Sequence, residues 1–189
     1  MSGDNLSPED SILEMVSRAL EEADETLRQT FDRSLSADEL VSDRWERAHR
    51  LGFGSRASVY GSALVYGDVT VGQDTWIGPW VLLDGSGGSL TVGSFCSISA
   101  GVQIYTHDTV GWAVSGGLIN RRTGPVSIGA NCYIGPQSIV AADVEIGAGS
   151  IVGANSFVSE SVPESAFVAG SPARLIGRVT VDGNVVRIE

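Results

Sequence analysis

The sequence predicts an all-β solenoid, a parallel β-helix preceded by an N-terminal α-helical extension. The first observation is a change of composition, because the first 50 residues hold 13 of the 23 acidic residues but only one of the 24 glycines. The second is a period of six residues from Val59 onward, which neither a helix nor a strand generates by itself. We expect the extension over residues 1–54, the β-helix over 55–179 and a C-terminal strand or tail over 180–189.

The extension carries two helix-start signals. Ser7 and Pro8 provide an N-cap and a first helical residue, and acids follow in the first turn. Apolar residues then recur every three to four positions on one stripe, with one longer gap, at Ile12, Leu13, Val16, Leu20, Leu27 and Phe31. Ser36 and Glu39 predict a capping box for a second helix that ends near Leu51. We expect these helices to form an arm that packs on the main domain.

The six-residue period predicts a triangular coil of 18 residues, with three flat sides and a turn after each. The inward aliphatic positions form three phased runs: Val59, Val65, Val71, Ile77 and Leu83; Val92, Ile98 and Ile104; Ile128, Ile134, Val140, Ile146, Val152 and Val158. A small or β-branched residue usually follows four positions later, where it fits beside the aliphatic side chain. Glycine often comes directly after the aliphatic residue, and we expect it to supply the backbone geometry of the corner.

Two interruptions of the period carry the most information about function. The spacing is nine residues from Leu83 to Val92, and 24 from Ile104 to Ile128, which predicts an extruded loop at about 109–125. With the loop extruded, Leu83 and Ile104 fall on the same side of successive coils, so Asp84 and His107 should lie near one edge. The same count stacks Cys96 and Cys132 in neighbouring coils as small core residues rather than as a nucleophile or a disulfide.

Composition excludes several classes of function. The net charge is −11 and all 12 basic residues are arginine. The longest basic run is Arg121-Arg122, so nucleic acid is not an expected partner. No apolar stretch reaches the roughly 20 residues needed to span a bilayer, and the N-terminus does not resemble an export signal. The two cysteines fit no metal-ligand spacing, so we expect no metal and a reducing, cytoplasmic compartment.

The hexads themselves resemble a known family. Ile128-Gly-Ala-Asn-Cys-Tyr, Ile134-Gly-Pro-Gln-Ser-Ile and Ile146-Gly-Ala-Gly-Ser-Ile are similar to repeats of the hexapeptide-repeat acyltransferases, and the resemblance covers roughly residues 55–179. It implies a left-handed β-helix, a homotrimer with sites between subunits, and acetyl-CoA as co-substrate. The similarity is greatest to acetyltransferases that modify sugars or nucleotide-linked sugars in polysaccharide biosynthesis.

The resemblance also implies roles for residues near the two interruptions. Leu82-Leu83-Asp84 and His107 match the family's pattern, in which the histidine is the general base and the aspartate contacts the acceptor. Tyr105 and Trp112 are candidate platforms for the apolar face of a sugar ring. Asp108 is a candidate to orient the imidazole. His49, the other histidine, lies in the predicted helical extension and has no expected role.

The C-terminal coils resemble the part of the family that binds coenzyme A. Residues 152–163 and 169–176 carry this resemblance. The candidate cofactor-binding residues are Gly135, Ala154, Ser159 and Arg174. The chain departs from the pattern at Glu160, an acid where many members carry lysine, and at Pro136, which replaces a common serine.

The resulting hypothesis is CoA-dependent transfer of an acetyl group to a hydroxyl or amino group of a sugar or nucleotide-linked sugar, directly and without a covalent enzyme intermediate. A xenobiotic (antibiotic) acetyltransferase on the same fold is an alternative, and so is a non-catalytic trimeric scaffold. A γ-class carbonic anhydrase is disfavoured because its zinc needs three histidine ligands and this chain has two histidines.

Overall fold

The computed structural model describes residues 8–189, so the predicted Ser7 cap lies outside the described residues. The chain divides into two compact units, the first ending at Asp43 and the second spanning Arg44–Glu189. In the first unit, helix α1 (Pro8–Phe31) is followed by α2 (Ala37–Leu40). The Leu35 amide donates to the Asp24 carboxylate at 3.2 Å and ties the connection back onto α1. Among residues 8–189, no helix combines the length and apolarity that crossing a bilayer requires.

The predicted capping box at Ser36 does not form. The Ser36 side chain makes no cap hydrogen bond and donates instead to the carboxylate of Asp38, two residues on. The helix that should have continued to Leu51 is also broken, since α2 ends at Leu40 and α3 (Arg44–Arg50) starts afresh. A short polar side chain next to an acid has a local partner that competes with the backbone cap, which explains the wrong prediction.

Helix α3 belongs to the second compact unit, although the sequence places it in the extension. Ala48 is buried in the same hydrophobic cluster as the first inward valine, Val59. The Arg47 guanidinium donates to the carbonyls of Gly61 at 3.0 Å and Ala63 at 2.6 Å, and also to that of Tyr60. These bonds attach α3 to the first coil, so α3 covers the end of the β-helix that has no coil before it.

Short parallel strands form the body of the second unit, with two antiparallel strands at its C-terminal end. Their bounds are β1 (Ser58–Val59), β2 (Leu64–Val71), β3 (Trp76–Ile77), β4 (Leu82–Val92), β5 (Ser97–Ile98), β6 (Gln103–Tyr105), β7 (His107–Asp108), β8 (Arg122–Thr123), β9 (Val126–Ile128), β10 (Tyr133–Ile134), β11 (Ile139–Val140), β12 (Glu145–Ile146), β13 (Ile151–Val152), β14 (Phe157–Val158), β15 (Ala166–Ala169), β16 (Arg174–Asp182) and β17 (Val185–Ile188). Helix α4 (Val110–Val114) lies between β7 and β8.

The pairing register sorts the inward residues into three faces. Face A stacks Val59, Ile77, Ile98, Ile134, Val152 and Val168. Face B stacks Val65, Leu83, Ile104, Val140 and Val158. Face C stacks Val71, Val92, Ile128, Ile146 and Val162. Every run of the predicted period is confirmed. The coil also continues past Val158, because Val162 adds a rung after four residues and Val168 adds another at the regular spacing of six.

The two interruptions behave differently. The three extra residues after Leu83 are absorbed in one long strand, β4, which pairs with β2 across a register shift between Gly67 and Val69. The longer insertion leaves the coil as an antiparallel pair, β7 with β8, with α4 at its far end. The chain then rejoins face C at β9. The extruded loop is therefore confirmed, and Cys96 and Cys132 precede directly paired rungs in neighbouring coils.

The glycines after the inward aliphatics have a different cause from the predicted one. The residues with a left-handed backbone come two positions after these glycines and are not glycine themselves; they include Asp74, Trp80 and Asn131. Gly129 itself is not left-handed, but a Cβ placed on it would lie 2.5 Å from the Ala148 nitrogen in the next coil. Glycine is required there because the stacked backbones leave no room for a side chain.

Candidate active site

His107 stands at the edge between faces B and C, at the root of the extruded loop. Strand β7 holds its backbone through pairing with Thr123. Its Nδ1 atom lies 3.5 Å from Asp84 Oδ2 and 3.5 Å from Ser86 Oγ. The predicted proximity of Asp84 and His107 is therefore confirmed, and it follows from the pairing of Leu83 with Ile104.

The two side chains differ in their access to solvent. The Asp84 side chain is 9% exposed and that of His107 is 23% exposed. Asp84 Oδ1 accepts a hydrogen bond from the Ser86 amide at 2.9 Å, which fixes the carboxylate with its other oxygen towards the ring. A reactant can therefore reach the imidazole, while the shielded carboxylate is placed to stabilise any positive charge that develops on the ring.

Three residues of this edge carry no role in the sequence analysis. Ser86 and Gly87 come from the insertion after Leu83, and Thr106 immediately precedes the histidine. The Thr106 hydroxyl donates to the Asp84 carbonyl at 2.7 Å and accepts from the Gly87 amide at 2.9 Å. The broken period was the signal that marked this segment, but spacing alone does not tell which of its residues turn inward.

The remaining candidates for acceptor binding lie around the same edge but not all face the histidine. The Asp108 carboxylate accepts from the amide of Val110, the first residue of the loop helix, at 3.0 Å. Tyr105 pairs in register with Asp84, and its hydroxyl donates to Gln103 at 2.6 Å. Trp112 lies on α4 and is 55% exposed.

The four candidates for coenzyme A do not gather around His107 within one chain. Gly135 follows the face A residue Ile134, and a Cβ on it would meet Ala154 of the next coil, so both lie on the edge between faces A and B. Ser159 follows Val158 of face B and is on the histidine's edge, in a later coil. Arg174 begins β16 and lies 3.7 Å from Glu160 in an exposed ion pair.

Two further features of residues 8–189 bear on the chemistry. Within this part of the chain, no group of three or more His, Cys, Asp and Glu side chains is arranged to hold a metal ion. A groove does run along face C, and it is lined by Ser127, Glu145, Gly147, Ser161 and Glu164 among others. None of the predicted site residues lines this groove, and its two carboxylates would repel a phosphate.

The comparisons with known proteins agree with the repeat. Residues 125–160 match the model of the bacterial transferase hexapeptide family (six repeats). AntD, an N-acyltransferase from Bacillus cereus solved with dTDP and 3-hydroxybutyryl-CoA, superposes with a TM-score of 0.58 and 28% identity, over 70% of this chain and 87% of AntD. The chain is therefore similar to the hexapeptide-repeat acyltransferases along its repeat. The resemblance read from the hexads is thereby confirmed, and the curled parallel sheets fit the family's left-handed β-helix.

Two curated acetyltransferases are similar to shorter segments of this chain. Chloramphenicol acetyltransferase of Morganella morganii is 31% identical over 108 residues, which is 46% of this chain and 50% of that enzyme. Galactoside O-acetyltransferase of Escherichia coli K12 is 26% identical over 129 residues, 58% of this chain and 64% of that enzyme. The chain thus spans between half and two thirds of the length of these relatives.

Proposed function

We propose that this protein is a CoA-dependent acyltransferase that moves an acetyl group to a hydroxyl or amino group of a sugar or nucleotide-linked sugar. The observation that carries the proposal is the Asp84–His107–Ser86 cluster, built at the one edge where two interruptions of the repeat meet. The similarity to known proteins supports it, since two proteins that this chain resembles are named O-acetyltransferase and N-acyltransferase.

In this mechanism His107 is the general base. Its neutral imidazole takes the proton from the acceptor hydroxyl or amine as the new bond to the acyl carbon forms, and returns it to the departing sulfur. The nearby Asp84 carboxylate stabilises the positive ring between these two proton transfers. The thioester of the co-substrate supplies the acyl group directly to the acceptor. Cys96 and Cys132 are both buried, and the Ser86 hydroxyl, 3.5 Å from the ring, is not used as a nucleophile in this mechanism.

The residues proposed to hold coenzyme A fit the ligand in part. At the edge between faces A and B, Gly135 is buried against the next coil and Ala154 is exposed, so the small Ala154 side chain leaves room for a narrow pantetheine arm. The Arg174 guanidinium could bind a phosphate with two parallel hydrogen bonds. It already forms an ion pair with the Glu160 carboxylate at 3.7 Å, which partly neutralises its charge. The Ser159 hydroxyl adds a neutral donor. We expect the grip on the phosphates to be weaker than in members that carry lysine beside this serine.

We propose a homotrimer whose sites lie between subunits. The edge that carries Gly135 and Ala154 is separated from the edge that carries His107 by the full width of face B. A second copy that placed its own Gly135–Ala154 edge against the His107 edge of the first would complete the site without rearrangement of either chain. The outward side of face B suits such a contact, because Leu64 is 50% and Phe157 is 37% exposed.

A second candidate function is acetylation of a xenobiotic. The similarity to chloramphenicol acetyltransferase favours it. The loop tip supports it as well, because its exposed apolar side chains suit an aryl or alkyl acceptor: Val110, Trp112, Val114, Leu118 and Ile119. Both candidates use the same histidine and differ only in the acceptor.

The test is a panel of acceptors incubated with acetyl-CoA while free thiol is followed. The panel contains amino-sugars, hydroxy-sugars, their nucleotide conjugates and chloramphenicol. Thiol release that depends on a sugar or nucleotide-sugar supports the proposal, and release with chloramphenicol alone supports the second candidate. If no acceptor releases thiol and calorimetry shows no binding of CoA, the protein is a non-catalytic scaffold and the proposal fails. Sedimentation equilibrium at three times the chain mass checks the trimer.

A further inference from the structure

Thr106 has the features of a residue that sets the position of the catalytic pair. Its side chain is completely buried and its hydroxyl uses both of its hydrogen-bonding abilities. It donates to the Asp84 carbonyl at 2.7 Å and accepts from the Gly87 amide at 2.9 Å. One hydroxyl therefore fastens both ends of the Asp84–Gly87 turn to the strand segment that leads into His107.

The backbone of Thr106 makes two further connections. Its amide donates to the same Asp84 carbonyl at 3.1 Å, and its carbonyl accepts from the Gly124 amide at 2.9 Å. Gly124 lies where the extruded loop returns to the coil. The residue thus joins the short insertion, the root of the long loop and the histidine, which are the three pieces of the proposed site.

Gly87 shows how tightly these pieces fit. A Cβ on Gly87 would lie 2.5 Å from the Thr106 carbonyl oxygen and 2.6 Å from His107 Cβ. Neither atom can yield without moving the histidine, because one belongs to backbone and the other is the first atom of the catalytic side chain. The separation of 3.5 Å between Asp84 and His107 therefore depends on the Thr106–Gly87 contact.

We propose that Thr106 is a positioning residue for the proposed acyl transfer, acting with Gly87 to hold the Asp84 carboxylate against the His107 imidazole. The inference rests on the proposed function for its kinetic consequence, but its geometric content does not. Thr106 does not touch the reacting atoms. Its hydroxyl fixes the turn that carries Asp84 and Ser86, and the turn fixes the ring.

Thr75 provides a matched control at another edge of the β-helix, before the coil that contains Thr106. It is 1% exposed, its hydroxyl donates to the Gly93 carbonyl at 2.8 Å, and it accepts from the Cys96 amide at 3.1 Å. These are the same two kinds of hydrogen bond that Thr106 makes, between the same kinds of group. Thr75 stands where faces C and A meet, so it has no connection with His107.

The experiment compares Thr106→Val, Thr106→Ser and Thr75→Val with the wild-type protein. Valine keeps the shape of threonine and removes the hydroxyl, whereas serine keeps the hydroxyl. We expect both valine variants to lose similar stability in thermal unfolding. Only Thr106→Val should lower kcat, by about 10- to 100-fold, with the KM for acetyl-CoA changed less than twofold, since a small misplacement of a catalytic group is costly. Thr106→Ser should recover most of the kcat.

A second readout does not require turnover. The imidazole proton signals of His107 in the NMR spectrum should move in Thr106→Val and stay in place in Thr75→Val, with His49 as the internal reference. If kcat and the His107 signals in Thr106→Val both match those in Thr75→Val, the positioning role is wrong. If the wild-type protein transfers no acyl group, the proposed function fails, and the NMR comparison alone decides the positioning role.

Discussion

The coils from Ile128 to Val158 and the edge built from residues 84–91 and 104–126 are made from the same repeat, yet they differ in how they treat polar groups. In the regular coils, the serine hydroxyls form hydrogen bonds to the backbone of the next coil. Ser138 donates to the Gly153 carbonyl at 2.9 Å and Ser150 to the Pro163 carbonyl at 2.8 Å. At the interrupted edge, a shielded carboxylate keeps one oxygen towards a histidine. Repetition satisfies every group locally, so chemistry can arise only where the repetition stops.

The sharpest way to test this comparison is to remove the imidazole. We expect His107→Ala to lower turnover by a factor of about 10² to 10⁴, because the acceptor proton then has no positioned base. The midpoint of thermal unfolding should change little, since the ring is partly exposed and supports no rung of the coil. Turnover in the acceptor that responds in the panel is the measurement.

His49→Ala is the matched control. His49 lies in α3, closes no part of the proposed site, and its substitution should leave turnover unchanged. Wild-type turnover in His107→Ala would show that the interrupted edge is not the reaction centre.

The regular coils should instead respond in stability. Gly129→Ala places a methyl group 2.5 Å from the Ala148 nitrogen, and overpacking of this kind costs about 1–3 kcal/mol. Urea unfolding followed by circular dichroism measures the loss. The cause is backbone contact between coils, so no change of rotamer can relieve it.

Gly111→Ala is the corresponding change within the extruded loop. There the new methyl would lie 3.0 Å from Ile119 Cγ2 and no closer than 3.9 Å to backbone, at the Asn120 carbonyl oxygen, and alanine favours the short helix α4. We expect a change within about 0.5 kcal/mol. An equal loss of stability in the two variants would contradict the explanation of the repeat glycines by stacking.

The same comparison explains which parts of the molecule could be predicted from sequence. The requirement for a buried aliphatic side chain recurs at every sixth residue. Counting along this period therefore predicted the register, the two interruptions and the approach of Asp84 to His107. The glycine positions were found by the same means, but their cause was misread, because spacing does not distinguish a left-handed residue from one without room for a Cβ. Thr106 and Ser86 do not stand at repeated positions of the period, so the period could not predict their hydrogen bonds.

The helical segments failed for a related reason. Ser36 matched the capping pattern, but the pattern does not say which nearby acceptor the hydroxyl selects, and Asp38 is the one it contacts. The Asp108 carboxylate also has a local partner that the sequence analysis did not predict, the Val110 amide two residues on. Local competition between side chain and backbone decides such cases, and it leaves no trace in the spacing.

The smallest expected effect concerns Cys132, whose thiol occupies the position that Ser150 fills one coil later. Its S–H donates to the Gly147 carbonyl at 3.2 Å. Cys132→Ser should therefore be tolerated, because a hydroxyl makes the same bond at the Ser150 position. Cys132→Val should cost about 1 kcal/mol more, since the Gly147 carbonyl loses its donor and a branched side chain enters a packed corner. Urea unfolding at neutral pH separates the two variants.

The pH dependence of stability sharpens this last prediction. The contact with the Cys96 thiol, followed by burial, raises the pKa of Cys132 above its usual range. An unfolded thiol ionises near pH 8.5, so above about that pH the unfolded chain gives up a proton that the folded chain keeps. The free energy of unfolding should then fall as pH rises above about 8.5, by up to about 1.4 kcal/mol per pH unit. Cys132→Ser removes the ionising group, so its profile from pH 8 to 10 should be flatter than that of the wild-type protein. Parallel profiles would show that the stacked thiols ionise as freely in the coil as in the unfolded chain.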